Sequence, residues 1–197
     1  MKKTALLVLG IAFTALFGCA PSLKTERLAL PSPSGRGPLT VVVTPSKGIK
    51  PSDVFRFKKL TVDTLSAAGF RPVDIDDSRG SVGRAIEVTL TEYEHSYPAK
   101  NEGIFAGVGC VYICPLFAPC LLLPGYYEPQ FEIAAEVSGY RNGQRLFKKV
   151  ISERAKSSAN LINTGDDDFK ATIESLTIHN FTVAVLKNFD KSFLEGR

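Results

Sequence analysis

Residues 103–127 read "GIFAGVGCVYICPLFAPCLLLPGYY" and hold no charged side chain, in a chain with 22% charged residues. On either side the pattern is that of a half-buried strand. In "AIEVTLTEYEHSY" (85–97), Ile86, Val88 and Leu90 alternate with Glu87, Thr89 and Thr91. In "QFEIAAEVSGY" (130–140), Phe131, Ile133, Ala135 and Val137 recur at every second position. Apolar residues with a period of two put one face of a strand in a core and the other towards solvent. Two such strands predict one sheet, so the uncharged run must leave that sheet and come back to it.

The other elements follow from local signals. "LTVVVTP" (39–45) is β-branched and ends at Pro45, as a buried strand does. In "PSDVFRFKKLTVDTLSAAGF" (51–70), Val54, Phe57, Thr61, Leu65 and Ala68 recur at helical spacing. Ser52 is the expected N-cap, Asp53 favours the first turn, and Gly69 ends the helix. "FRPVDI" (70–75) is a short strand, and the strand–helix–strand order predicts parallel pairing through a right-handed crossover. Asn142-Gly143 is the preferred type I′ pair and predicts a hairpin between 130–140 and "RLFKKVISERA" (145–155). Asp166, Asp167 and Asp168 open a last helix with the apolar stripe Ile178, Phe181, Val185, Phe189 and Phe193. Lys187 and Lys191 lie towards its C-terminal end.

The expected fold class is α+β: a single domain with a mixed β-sheet in the order β-α-β-β-β-β-α. Two helices lie on one face, and the apolar insert falls between the third and fourth strands. The expected strand order is 2-1-3-4-5. "LTVVVTP", the helix ending "AAGF", "RPVDI" and "AIEVTLTEY" together resemble periplasmic α+β domains of bacterial lipoproteins and envelope assembly factors, of the curli-secretion pore type. The likeness is one of topology and implies no activity by itself.

The N-terminus carries an address. "MKK" is basic, "TALLVLGIAFTALF" is an apolar run of signal-peptide length, and "LFGC" (16–19) follows. These residues resemble the lipobox of bacterial lipoproteins, with Phe17 bulkier than the usual residue at its place. The resemblance implies cleavage before Cys19 and a lipid on its sulfur. Ala20, where an aspartate would favour retention in the inner membrane, implies the outer membrane. The expected organisation is a signal peptide at 1–18, a lipidated flexible tether at 19–38 and a periplasm-facing α+β domain at 39–197. The tether reading rests on the Pro, Ser and Gly of "PSPSGRGP" (31–38). The chain's formal charge of +4 falls to ~+2 without Lys2 and Lys3. That balance, with scattered Lys and Arg, gives no nucleic-acid stripe.

Four arrangements of the insert can be weighed. A transmembrane helix has the length, but Pro115, Pro119 and Pro124 interrupt it, and a single crossing would separate its flanking strands. A transmembrane β-hairpin needs polar residues alternating with apolar ones, and these arms are apolar on both faces. The remaining two are a loop that meets a lipid surface or apolar partner and a loop that covers the domain's own sheet. In the first of these two, the contacts are Ile104, Phe105, Val108, Tyr112, Ile113, Leu116, Phe117, Leu121, Leu122, Leu123, Tyr126 and Tyr127. Tyrosine suits such a boundary because its ring is apolar and its tip polar.

Cys110, Cys114 and Cys120 allow at most one internal disulfide, and their spacing leaves the pair open. The odd cysteine is left for a bridge to another chain or a buried thiol. A zinc site would lack a fourth ligand nearby. The acidic runs "DIDDSRG" (74–80) and "TGDDD" (164–168) do not form a calcium loop. His95 has no nucleophile that the sequence can place beside it, and His179 is expected to be partly exposed or hydrogen-bonded structure. No serine elbow, phosphate loop or metallohydrolase motif occurs. The expectation is therefore no enzyme, no metal and no cofactor. The chain reads as a membrane-anchored binding or assembly module of the bacterial envelope, engaging the membrane through Cys19 and an envelope protein through the insert. The alternative is an oligomeric secretion or transport component. The sequence leaves the oligomeric state open.

Overall fold

In the computed structural model, residues 22–31, 37–74, 83–98, 128–158 and 167–189 are described. Six strands and two helices occur in the order β1 (Ser22–Leu23), β2 (Pro38–Pro45), α1 (Pro51–Ala67), β3 (Arg71–Asp74), β4 (Arg84–Ser96), β5 (Gln130–Arg141), β6 (Gln144–Ser158) and α2 (Asp167–Lys187). The sheet order is β1-β6-β5-β4-β2-β3. For the five longer strands this is the expected order, and the class is mixed α+β. β2 runs parallel to both neighbours, with Leu39 opposite Pro72 on β3 and Val41 opposite Ile86 on β4. Asn142 and Gly143 have φ of 51° and 78°, the two positive values that a type I′ hairpin turn requires.

Two details differ from the sequence reading. α1 begins at Pro51 with Lys50 as its N-cap and no side-chain cap. Ser52 sits inside the first turn, its Oγ donating to Asp53 Oδ1 at 3.4 Å. Proline has the right φ for the first helical position and no N–H to satisfy there, so the helix starts one residue ahead of the serine. The second difference is β1. Residues 22–31, assigned by composition to a flexible tether, lie against the fold: Ser22 pairs with Ser158 and Leu23 with Ser157. The Pro, Ser and Gly that suggested a tether are concentrated beyond residue 30, and 32–36 lie outside the described residues.

The chain divides into two compact units. Among the described residues, the smaller contains 22–26, 95–98, 128–130, 155–158 and 167–173. The larger contains 27–31, 37–74, 83–94, 131–154 and 174–189. In the larger unit, Phe131, Ile133, Ala135 and Val137 of β5 are all fully buried. The helices meet edge to face through Phe57 and Phe181, with ring centroids 5.5 Å apart. Tyr93 of β4 reaches Glu174 of α2, and Phe147 of β6 packs on Phe189. Both helices therefore share one face of the sheet. In β4, burial falls on even residues up to Leu90, while beyond the exposed Thr91 and Glu92 it is the odd residues Tyr93 and His95 that are half-buried. That change of phase turns Tyr93 towards the helices.

The opposite face carries paired charges across β4, β5 and β6, and at the same period-two positions of β6 as Lys148 and Arg154 it also exposes Leu146 and Val150. Tyr140 donates to Glu87 at 2.9 Å, Glu136 pairs with Lys148 at 2.8 Å, and Glu132 pairs with Arg154. Ion pairs and hydrogen bonds, more than apolar packing, hold this side.

Gly139 lies between two rings. A Cβ there would stand 2.5 Å from both Phe147 Cε1 and Phe189 Cε1, and those rings are themselves in edge contact at 4.6 Å. Gly139→Ala should therefore lower stability by about 1–3 kcal/mol through overpacking. Urea unfolding measures it; an unchanged midpoint would mean that the rings move apart freely.

Candidate functional site

The chain just after Cys19 is the feature with the clearest bearing on function. In the smaller unit, Lys24 N–H donates to Lys156 O at 3.0 Å. Lys156 N–H donates in turn to Thr25 Oγ1 at 2.8 Å. The next contacts lead to the insert. Ser157 N–H donates to Pro129 O at 3.0 Å, and Glu128 N–H donates to Pro98 O at 3.1 Å. Lys24 Nζ reaches Glu128 Oε1 at 2.7 Å. Pro98 and Glu128, the last described residue before the insert and the first after it, are thus hydrogen-bonded neighbours. The chain that follows Cys19 is fastened at the same place.

In the larger unit, α2 holds the continuation of this segment. Leu28 N–H donates to Asn180 Oδ1 at 2.9 Å. Leu28 O lies 2.9 Å from His179 Nε2, and Arg27 Nη2 lies 3.3 Å from His179 Nδ1. A guanidinium can only donate, so Nδ1 accepts and the ring proton sits on Nε2, facing Leu28 O. His179 and Asn180 are each 4% exposed. They satisfy both main-chain groups of Leu28, as buried polar side chains should. His179 is thus fully hydrogen-bonded structure, the second of the two states expected for it. Asn180→Ala should expose Leu28 N–H and cost about 1 kcal/mol locally. Trypsin cleavage after Arg27 should then quicken roughly fivefold; an unchanged rate would show that Asn180 does not hold the segment.

Another buried polar group of α2 is a carboxylate. Glu174 of α2 is 1% exposed; it accepts from Arg56 Nη1 at 2.9 Å and from Tyr93 OH. Burial, and then the bond to Glu174, raise the pKa of Tyr93 well above its ordinary value. The same carboxylate raises that of Arg56 through its hydrogen bond and its charge. All three groups are engaged with one another, and the arrangement joins α1, α2 and β4 as structure.

No family model and no curated protein matches the chain. Solved structures do resemble it. A minor lipoprotein from Acinetobacter baumannii is 8% identical, with 75% of this chain and 87% of that one covered and a TM-score of 0.38. The rare lipoprotein B from Shewanella oneidensis is 9% identical over 75% and 93%, with a TM-score of 0.39. A PelC dodecamer from Paraburkholderia phytofirmans is 11% identical over 90% and 100%, with a TM-score of 0.38. Structures of bacterial lipoproteins thus stand among the chain's neighbours, but TM-scores this low carry no argument about its role.

Cys19 lies outside the described residues, as do all the insert residues named above from Ile104 to Tyr127 and Cys110, Cys114 and Cys120. Among the described residues, no group of three His, Cys, Asp or Glu side chains could hold a metal ion. No described helix is long and apolar enough to cross a membrane. His95 is half-buried on β4. The sequence reading missed Arg27, Leu28, Asn180 and Lys24 as points of attachment. The available signal was a helix whose polar residues Glu174, Thr177, His179, Asn180 and Thr182 are spread around its axis, too many for one solvent face.

Proposed function

We propose that this chain is a lipoprotein of the bacterial outer membrane, acylated at Cys19 and facing the periplasm, that serves as a non-catalytic binding or assembly module. The observation that carries the reading is the Lys24–Glu128 ion pair at 2.7 Å. It binds the chain five residues beyond Cys19 to the foot of the apolar insert, so that lipid and insert share a point of departure. Two apolar features leaving a water-soluble fold together suit a membrane contact or a partner held at a membrane.

Cys19→Ser should move the protein from the membrane to the soluble fraction, since a lipid supplies about 0.8 kcal/mol per buried methylene and its loss removes the anchor. Deletion of 103–127 should leave a folded domain while abolishing partner recovery, and a photoreactive probe at Phe117 of the intact chain should capture that partner. A deletion variant that unfolds would make the insert core and overturn its binding role. Sizing the detergent-solubilised protein tests the oligomeric secretion alternative, which a monomer excludes.

A further inference from the structure

We propose that the end of the sheet where β1, the close of β6 and the Pro98–Glu128 junction meet is the surface that the smaller unit lays against the bilayer. Leu23 and Tyr97 are its lipid-contacting side chains. The inference rests on acylation of Cys19 and adds an orientation and two contact residues to that reading.

Leu23 is 45% exposed and Tyr97 36% exposed, both in the smaller unit. Leu23 is four positions beyond Cys19. Fully extended, they span no more than roughly 14 Å, at about 3.3–3.6 Å per residue. Leu23 has no freedom to swing away, because it pairs with Ser157 and the next residue donates to Lys156 O. An acylated sulfur in the lipid therefore holds an exposed leucine near the headgroups. Tyr97 follows the end of β4, and the strand order places β4 three strands from β1. At about 4.8 Å per strand, the two side chains stand on one edge of the fold roughly 14 Å apart. A leucine and a tyrosine on one rim suit the boundary between hydrocarbon and headgroup.

The charges at this end fix the kind of contact. Lys24 is paired with Glu128, and Lys170 with Asp167 at 3.1 Å. Asp167 and Lys170 are also the charged groups that act on Tyr97. Among the described residues of the smaller unit, Lys24, Lys156 and Lys170 stand beside Glu26, Glu128, Asp167 and Asp168, so the surface carries no positive excess there and meets lipid through apolar and aromatic side chains.

The chain contains no tryptophan, so Leu23→Trp and Tyr97→Trp each install a single reporter at an already exposed position. The full-length lipidated variants would be reconstituted in phosphatidylcholine vesicles carrying bromine on the acyl chains. Each tryptophan should be quenched roughly twofold relative to unbrominated vesicles, and about 0.5 M salt should not relieve it, because no long-range charge attraction is involved. Leu23→Asp placed in the Tyr97→Trp chain should reduce the quenching at 97. If the protein floats with the vesicles while either tryptophan keeps aqueous, unquenched emission, the proposed surface is wrong and the lipid anchor stands. If the mass of the N-terminal peptide shows no acyl group and the protein fails to float, the underlying reading falls and the surface falls with it. Quenching seen only with anionic vesicles at low salt would overturn the apolar contact in favour of a charged one.

Discussion

Phe181→Ala should lower the free energy of unfolding by about 3–5 kcal/mol, a large part of the stability of an ordinary domain. Phe181 is 1% exposed, and its ring lies edge to face, at 71°, on Phe57, which is fully buried. Truncation removes the transfer free energy of the ring and opens a cavity where the two helices meet. The comparison is Phe55→Ala on α1, the helix that carries Phe57. Phe55 is 72% exposed, and its loss should change stability by no more than about 0.5 kcal/mol. Urea titrations of both variants measure the contrast. A double-mutant cycle between positions 57 and 181 should give a coupling of about 0.5–1.5 kcal/mol for the aromatic pair. Equal effects at 55 and 181 would refute the helix packing described above.

Glu174→Ala comes next in size, with an expected cost of about 2–4 kcal/mol. The loss falls unevenly. Arg56 is 56% exposed and keeps its water when its partner goes, whereas the half-buried hydroxyl of Tyr93 loses its acceptor. Glu174→Gln keeps an acceptor for that hydroxyl and should recover about half of the loss, since a bond to a charged group is worth roughly twice a neutral one. The network also predicts a pH dependence. Burial first, and the Glu174 bond second, put the folded-state pKa of Tyr93 above its ordinary value of 10.0. The folded state then holds a proton that the unfolded state gives up. This contribution is complete below pH ~10 and is lost as pH rises beyond it. Tyr93→Phe should flatten the difference in urea midpoint between pH 9 and pH 11. Parallel alkaline limbs in variant and wild type would show that Tyr93 plays no part.

Most of the sheet was legible because its strands announce their faces. Ile86, Val88 and Leu90, like Phe131, Ile133, Ala135 and Val137, are buried where alternation placed them. The paired positive φ values at Asn142 and Gly143 depend on four residues, and the type I′ signal is local. The stripe on α2 was legible only in part. Ile178, Phe181 and Val185 are buried as expected, but so are Glu174, Thr177, His179, Asn180 and Thr182. Nothing within the helix says which polar residues meet water and which meet another strand of chain. That is decided by Leu28, 151 and 152 residues away. The segment 22–31 was illegible for a related reason. Its two-residue strand is too short to show a period, and beyond that strand and the bond of Lys24 N–H to Lys156 O it is held by the single side chains Thr25, His179 and Asn180. The change of face in β4 after Leu90 also escaped, although Glu92 and Glu94 at the even positions were its signal.

The clasp on Leu28 also has a consequence in time. A chain is made from its N-terminus, and Asn180 is added 152 residues after Leu28. At about 5–20 residues per second, roughly 8–30 s pass before the groups that capture Leu28 exist. Throughout that interval the stretch behind Cys19 lacks its seat and stays open to any enzyme that must grasp it. Completion of the last helix then supplies that seat, so the order of synthesis alone makes the capture of Leu28 a late event.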